Sequence, residues 1–591
     1  MELFKSDEEK LLNAIENRDV EKVKLILESS NKNKIILKLN EKIYGNYPLL
    51  EAISNNNIEI VKLLIEYANQ HQIILELNEK GKDGNYPLLL AISYYSINNI
   101  EIVKLLIEYA NQHKIILNMN EKDKDGNYPL LKAIFNVNIE MVKLLIEYAN
   151  QHQIILELNE KDKDRYYPLC WAIFNNYIEI VKLLIEYANQ HQIILELNEK
   201  DKDGYYPLLE TISNNNVEMV KLLIEYANHH QIILELNEKG KDGNYPLLLA
   251  ISYYSINNIE IVKLLIEYAN QHQIILELNE KNNDGYYPLY RAISINNIET
   301  VKLLIEYANQ HQIILELNEK DGLIGYYPLL NAIFHNNIEM IKLLIEYANH
   351  HQIILELNEK NKYGDYPLYL AIRENIIEIV KLLIEYANQN QIILELNEKD
   401  KDGDYPLLRA IYEDNIEIVK LIIEYANKHQ IILELDEKKI DGYYLIHWAV
   451  YKNNIEIVKL LLEYALQHQI IWKLNEKGNI GRYPLLFAIN NNNNEIVKLL
   501  MEYANQNQII LELNEKDKDG NYPLLEAIYN NNIEMVKLLI EYANQHQIIL
   551  ELNEKNKNGI YGIPKKKRYG LILYFIFYLL REKKNNNTIK L

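Results

Sequence analysis

The chain has 591 residues and a hydrophobic content of 48%, which is enough for a buried core and excludes disorder throughout. Its 84 acidic and 63 basic residues give a net charge of −21, which argues against a broad surface for nucleic acid or anionic membrane. Cys170 is the only cysteine, which excludes a disulfide framework and a cysteine-based zinc site. Because the first residues lack the charged and apolar regions of a signal peptide, we expect a cytoplasmic protein.

One block of sequence recurs along the chain. Residues 58–78 read IEIVKLLIEYANQHQIILELN, and near copies continue as far as Ile533. Within the block, Glu59, Lys62 and Glu66 fall three and four residues apart and form one polar stripe on a helix. A helix that is apolar around the rest of its circumference must be covered by neighbours, and here the neighbours are copies of itself. The sequence therefore predicts a stacked repeat architecture.

The chain divides into a cap, a repeat array and a tail. Residues 1–45 are predicted to form an N-terminal capping repeat with two short helices, near residues 11–15 and 20–27. Residues 46–560 hold thirteen repeats with a period of about 39 residues. Twelve repeats carry a Tyr-Pro pair, and the remaining one has Leu445 in place of proline. Residues 561–591 form a basic and hydrophobic tail.

Each repeat has the same predicted order of elements, shown here for the repeat around Pro129. Residues 123–126 (DKDG) predict a turn with glycine at positive φ, and Pro129 suits the first turn of a short helix, helix A. A longer helix, helix B, starts at Ile139. Residues 154–158 (IILEL) lead into the next hairpin, and periodicity does not decide between helix and strand for them.

Two repeats are longer than the others because both contain the sequence SYYSI, at residues 93–97 and 252–256. The second copy follows the first after a stretch equal in length to four repeats. This spacing indicates that a block of four repeats was duplicated.

The repeated pattern DKDGNYPLLKAI at residues 123–134, followed by NIEMVKLLIEY from residue 138, resembles the ankyrin repeat. The resemblance covers about residues 7–560, and its motifs are specific because the same offsets recur thirteen times. It implies an all-α solenoid of stacked helix-turn-helix repeats joined by β-turn hairpins, a protein partner and no cofactor. The alternative is an α-solenoid of the HEAT or tetratricopeptide type, against which the Asp-x-Asp-Gly-x-Tyr-Pro-Leu hairpin argues.

The repeats depart from the family pattern at two places. Tyrosine replaces the threonine before proline, and leucine usually replaces the following histidine, which only His447 retains. We therefore expect hydrophobic packing to set the turn geometry. The glycine that ends helix B in the family is alanine here, as at Ala68, so helix B is predicted to continue through Asn-Gln-His. This extension explains why the repeats are longer than the family pattern.

The sequence contains no convincing catalytic or metal-binding pattern. A histidine recurs after helix B, for example at His71 and His113, but copies about 9–10 Å apart cannot share a metal at about 2 Å. Cys170 is predicted to be a small buried hydrophobe rather than a nucleophile. The hairpin at residues 515–526 mimics a calcium loop, but most copies lack the acid at its twelfth place and Pro523 breaks the pattern. We expect no enzymatic activity, cofactor or bound metal.

Three positions vary against a nearly constant helix B: two residues before the proline, three after it and six after it. If the resemblance to the ankyrin family holds, the first and third positions correspond to that family's hairpin tip and end of helix A, which line its concave binding face. Aromatic and arginine side chains there would be anchors for a protein partner. The predicted protein-binding residues are Tyr166, Tyr205, Tyr286, Trp171, Trp448, Phe135, Phe174, Phe334, Arg373, Tyr412 and Tyr451. The alternative is sequence drift at unconstrained surface positions.

The tail breaks the repeat pattern. Lys565, Lys566, Lys567 and Arg568 resemble a nuclear-import signal. The apolar residues 569–580 are too few to span a bilayer, which needs about 20, but they suit a membrane interface. A degenerate cap, or a tail produced by a frameshift or missed intron, is the alternative.

These observations predict a monomeric, non-enzymatic scaffold that binds a protein through the concave face of the array. The alternative function is a structural spacer or spring, or an adaptor tethered to a membrane by residues 569–580. No nucleic-acid partner is expected.

Overall fold

The computed structural model describes residues 6–93, 98–252, 257–439, 442–551, 556–557 and 589–590. The chain forms two compact units, residues 1–315 and residues 316–591, here called the N-terminal and C-terminal units. Within each unit a short helix A alternates with a longer helix B along the chain. This is the all-α helix-turn-helix architecture that the sequence predicts.

The helices of the N-terminal unit are Asp7–Glu16, Val20–Asn33, Pro48–Ser54, Ile58–His71, Pro87–Ser93, Asn98–His113, Pro129–Phe135, Ile139–Gln151, Pro168–Phe174, Ile178–His191, Pro207–Ser213, Val217–His230, Pro246–Ser252, Asn257–His272, Pro288–Ser294 and Ile298–His311. The first two helices include the residues, near 11–15 and 20–27, for which two short helices were predicted. Ser6 and Glu9 form a capping box at the start of the first helix.

The helices of the C-terminal unit are Pro328–Phe334, Ile338–His351, Pro367–Arg373, Ile377–Gln389, Pro406–Tyr412, Ile416–His429, Leu445–Tyr451, Ile455–Gln467, Pro484–Asn490, Asn494–Gln506, Pro523–Tyr529 and Ile533–Gln545. Two short strands, Leu550–Glu551 and Ile589–Lys590, pair in parallel.

Local sequence signals explain where the helices begin. Pro129 occupies the first turn of helix A, where its missing N–H costs no hydrogen bond. Asn138 is the N-cap of helix B, and its side chain accepts a hydrogen bond from the amide of Met141 at 2.9 Å. In the hairpin, Gly126 has a φ of 85°, as the turn sequence predicts.

Helix B continues past the missing family glycine, as predicted, and ends at the following glutamine in some repeats and at the next histidine in others. Helix Ile58–His71 ends at Gln72, which takes the left-handed conformation with a φ of 56°. A left-handed residue therefore does end the helix, but it is glutamine rather than the glycine that usually occupies this conformation. Residues 73–77 are neither helix nor strand.

The extended segment after helix B is held by side chains of the next repeat. The hydroxyl of Tyr109 accepts a hydrogen bond from the amide of Leu75 at 3.1 Å and donates to the carbonyl of Ile73 at 2.9 Å. Asn78 donates to the carbonyl of Ile116 at 2.7 Å and accepts from the amide of Asn118 at 2.9 Å. The extension that lengthens the repeat thus satisfies backbone groups across the interface between these repeats.

The expectation that hydrophobic packing alone sets the turn geometry is wrong. The buried Tyr47 donates its hydroxyl to the carbonyls of Glu76 and Glu79, at 3.0 and 2.9 Å, and so fixes the next hairpin. In the Leu445 repeat, His447 Nδ1 accepts from the amide of Tyr444 at 3.2 Å. Its Nε2 lies 2.9 Å from the carbonyl of Glu476. Tyrosine hydroxyls, and one histidine, therefore replace the family's threonine–histidine bonding.

The recurring histidines also join neighbouring repeats. The ring of His113 lies 4.3 Å from that of Tyr109, and its Nε2 lies 2.8 Å from Asn69 Oδ1 in the preceding repeat. Cys170 is buried, as predicted, and burial raises the pKa of its thiol to about 12.

Candidate protein-binding face

Within each compact unit, side chains of the hairpin tips and of the ends of helix A lie close to one another. We call this surface the hairpin face. It is defined by the residues two before, three after and six after each repeat's proline, or Leu445 in the repeat that lacks it. Tyr166 of a hairpin, for example, contacts both Trp171 and Phe174 of the following helix A.

Four of the predicted binding residues form one group in the N-terminal unit, the first aromatic cluster: Phe135, Tyr166, Trp171 and Phe174. Phe135 comes from the preceding repeat. Its ring centroid lies 4.8 Å from that of Trp171, and the angle between the two ring planes is 89°. Phe174 lies 5.6 Å from Trp171 at 88°, and Tyr166 covers the indole at 4.4 Å and 31°. The indole N–H of Trp171 points to Asp162 Oδ2 at 3.4 Å. Phe174 nevertheless keeps 49% of its surface exposed.

The C-terminal unit has a second aromatic cluster with the same arrangement around its tryptophan: Tyr412, Tyr443, Trp448, Tyr451 and Phe487. Tyr412 lies 4.8 Å from Trp448 at 82°, in the place of Phe135. Tyr451 lies 5.6 Å from Trp448 at 88°, in the place of Phe174, and is 52% exposed. Each edge-to-face pair of this kind contributes about 0.5–1.5 kcal/mol of stability in addition to the contribution from the buried area of the rings.

The two clusters differ at one position. Tyr443, the counterpart of Tyr166, does not cover the indole but lies 5.8 Å from Trp448 at 76°. It is only 8% exposed and occupies the space that Gly478 leaves by having no side chain. A cavity of about 220 Å³ remains, lined by Tyr443, His447, Trp448, Tyr451, Ile480 and Phe487.

The other predicted residues lie outside these clusters. The hydroxyl of Tyr205 donates to Asp242 Oδ2 at 3.1 Å. Tyr286 stacks on Tyr290 at 5.7 Å, with the guanidinium of Arg291 5.2 Å from its ring. Phe334 is 49% exposed and contacts Tyr326 at 5.7 Å. Arg373 forms an ion pair with the buried Asp365.

The predicted list omits Tyr443, Phe487 and Tyr326. Tyr443 lies two residues before Leu445, the offset that Tyr166 has from Pro168. The repeat pattern that gives Trp448 and Tyr451 in the same repeat was therefore sufficient to find Tyr443 as well. Phe487 does vary at the position three residues after proline, but its contact with Tyr443 at 5.6 Å crosses a repeat boundary.

The described part of the chain contains no group of three or more histidine, cysteine or acidic side chains that could hold a metal ion. In the calcium-loop mimic, Asp517 Oδ1 accepts the backbone amides of Asp519 and Asn521, and Oδ2 pairs with Arg482 at 3.1 Å. No helix among the described residues is long and apolar enough to cross a membrane. The predicted import signal, Lys565 to Arg568, and residues 569–580 lie outside the described residues.

Comparison with known proteins identifies the repeat. The family description "Ankyrin repeats (3 copies)" matches residues 11–116, 110–194, 190–275, 228–315, 271–351, 311–393, 389–470 and 465–551. No curated protein matches the chain. Among solved structures, the chain is similar to the ankyrin repeat domain of Bcl-3, described as a unique member of the IkappaB protein family. The identity is 20% and the TM-score 0.31, over 44% of this chain and 100% of that chain. With overlapping matches from residue 11 to residue 551, the chain belongs to the ankyrin-repeat family.

Proposed function

We propose that the chain is a non-enzymatic scaffold that binds a protein partner through its hairpin face. Ankyrin repeats are in general protein-interaction modules, and the aromatic clusters indicate which surface this chain would use. The observation that carries the proposal is the recurrence of one arrangement, a tryptophan between two perpendicular rings, in both compact units.

This recurrence favours recognition over the alternative of drift at unconstrained positions. Exposed aromatic rings that are held rigidly by neighbouring rings lose little conformational entropy on binding, which is why they are frequent anchors in interfaces. Phe174 and Tyr451 combine both properties, since each is about half exposed and fixed against a tryptophan.

The test is binding of a protein that co-purifies with the full chain. Its affinity would be measured for wild type, for Trp171→Ala with Phe174→Ala, and for Trp448→Ala with Tyr451→Ala. We expect at least one pair to weaken binding by about tenfold or more, since anchor residues contribute upwards of about 1–2 kcal/mol each. Glu51→Ala with Ser54→Ala is the matched control, because these residues occupy the same two offsets after Pro48.

Circular dichroism would verify that each variant remains folded. Unchanged affinity in both cluster variants would refute the assignment of the hairpin face.

A further inference from the structure

We propose that the cavity of the second aromatic cluster binds one aromatic side chain of a protein partner, carried on a basic segment. This inference rests on the proposed function and names the chemistry that one part of the hairpin face would recognise.

The cavity has the size and lining of a site for a single ring. Tyr443, Trp448, Tyr451 and Phe487 follow one another around it, and neighbouring ring centroids lie 5.6–5.8 Å apart. The planes of these neighbours are inclined by 60–88°, so edges and faces both border the space. Its volume of about 220 Å³ exceeds the roughly 150 Å³ of an apolar cavity that binds benzene.

The first aromatic cluster shows what occupies the equivalent place when the chain fills it. There Tyr166 covers the indole of Trp171 at 4.4 Å and 31°, while the flanking rings keep nearly the same distances as in the second cluster. In the second cluster Tyr443 has moved off the indole, and Trp448 borders the cavity. A ring supplied by a partner would restore the contact that Tyr166 makes within its own repeat.

The surrounding charges favour a neutral ring over an ammonium group. Aromatic walls can bind either one. No carboxylate among the described residues lines the cavity, however, and the guanidinium of Arg482 already lies 5.9 Å from the Phe487 ring. Ile480, which is 49% exposed, adds an aliphatic wall. The net charge of −21 favours basic residues next to the aromatic one, because opposite charge steers association.

Gly478 keeps the cavity open. A Cβ atom at this position would lie 1.9 Å from Cε1 of Tyr443. Any side chain here would therefore clash with the tyrosine ring and displace it. Gly478 does not have the left-handed backbone that favours glycine, unlike Gly481 with a φ of 78°. The three atoms nearest to an alanine Cβ at 478 all belong to the ring of Tyr443, so Gly478→Ala should close the cavity without altering Trp448.

The experiment uses the full chain labelled with 5-fluorotryptophan, whose three positions are Trp171, Trp448 and Trp472. Each ¹⁹F resonance is assigned with a Trp→Phe variant. The probes are acetylated and amidated tripeptides: Lys-Phe-Lys, Lys-Leu-Lys, Glu-Phe-Glu and Lys-trimethyllysine-Lys. We expect Lys-Phe-Lys to shift the Trp448 resonance saturably, with a dissociation constant on the order of 1 mM for so small a ligand.

The Trp171 and Trp472 resonances should stay in place, because Tyr166 covers the first and the second is 1% exposed. Gly478→Ala should weaken Lys-Phe-Lys at least about tenfold, and the other three peptides should bind wild type more weakly. Tyr451→Ala is a second variant, which removes an exposed wall of the cavity and should also weaken binding. Unshifted Trp171 and Trp472 resonances in both variants would show that they remain folded.

Absence of a saturable Trp448 shift, unchanged affinity in Gly478→Ala, or tighter binding of any other peptide would overturn this inference. If the peptides fail while the cluster variants still lose the co-purifying partner, the proposed function survives. If neither experiment shows an effect of the clusters, the proposed function falls as well.

Discussion

At the residue scale, the hairpin face contains acidic groups as well as aromatic ones. Glu210 lies three residues after Pro207, at the offset that Trp171 occupies in the preceding repeat. Burial and the neighbouring buried Asp201 raise the pKa of Glu210 to about 7, and a hydrogen bond from Ser213 opposes the shift only in part. Glu210 therefore loses its proton near neutral pH at the cost of fold stability.

The sign of this linkage gives a prediction. Because the pKa of Glu210 is higher in the folded chain than its value of about 4.3 in the unfolded chain, its contribution to stability is full below about pH 4.3 and is lost as the pH rises through 7. Glu210→Gln should raise the unfolding midpoint at pH 8 and leave it nearly unchanged at pH 4. Thermal unfolding followed by the ¹⁹F resonance of 5-fluorotryptophan at Trp171, one repeat earlier, would measure the midpoint. An equal shift at both pH values would contradict the assigned pKa.

At the scale of structural elements, the extended segments after helix B are joined by a ladder of asparagines. In each case the side chain donates to one carbonyl of the next repeat, and its members are Asn40, Asn78, Asn120, Asn159, Asn198, Asn237 and Asn279 in the N-terminal unit and Asn318, Asn358, Asn397, Asn475 and Asn514 in the C-terminal unit. Asp436 occupies the corresponding place between Asn397 and Asn475. A carboxylate cannot donate to a carbonyl, so the ladder is interrupted at a position between Tyr412 and Tyr443 of the second aromatic cluster.

Restoring the ladder should stabilise this part of the chain. In Asp436→Asn, the new amide is positioned to donate to the carbonyl of Ile471 and to accept from the amide of Lys473, by analogy with Asn397 and its partners Ile432 and Glu434. We expect a gain of about 0.5–1.5 kcal/mol, measured as slower hydrogen exchange in a peptide that covers residues 471–473. Asn397→Asp makes the reverse change in the preceding repeat: it removes the bond to the carbonyl of Ile432, although a carboxylate can still accept from the amide of Glu434. It should speed exchange in a peptide that covers residues 432–434. No change in either variant would show that the ladder does not stabilise the interface.

Features encoded by neighbouring residues could be predicted from the sequence, whereas contacts between repeats could not. Pro129 and Gly126 specify their turns locally, and the absence of glycine at Ala149 predicts the longer helix B. The bond from Tyr47 to Glu79 reaches into the next hairpin, and Tyr443 likewise rests against Gly478 of the hairpin that follows its own. Such partners depend on the register of stacking, which no local pattern specifies. The same reason explains why the predicted binding residues could be listed but not grouped into clusters.

For the whole molecule, the duplicated block allows recognition to be separated from a spacer function. The sequence NEKGKDGNYPLLLAISYYSINNIEIVKLL occurs at residues 78–106 and again at residues 237–265. Deleting residues 86–244 therefore joins two identical contexts and removes four repeats together with the first aromatic cluster. Deleting residues 245–404 also removes four repeats, a stretch of almost the same length, and it retains the residues of both clusters.

The two deletions distinguish a scaffold from a spacer. A scaffold recognises its partner through the clusters, whereas a spacer acts by its length. If the first aromatic cluster anchors the partner, deletion of 86–244 should lower its affinity by about tenfold or more, while deletion of 245–404 should leave binding at the first cluster intact. A spacer should be impaired equally by both deletions, because the lengths lost are almost the same. Circular dichroism and the ¹⁹F resonance of Trp448, which both variants retain, would verify folding. Equal loss of binding by the two folded variants would favour the spacer and contradict recognition by the first cluster.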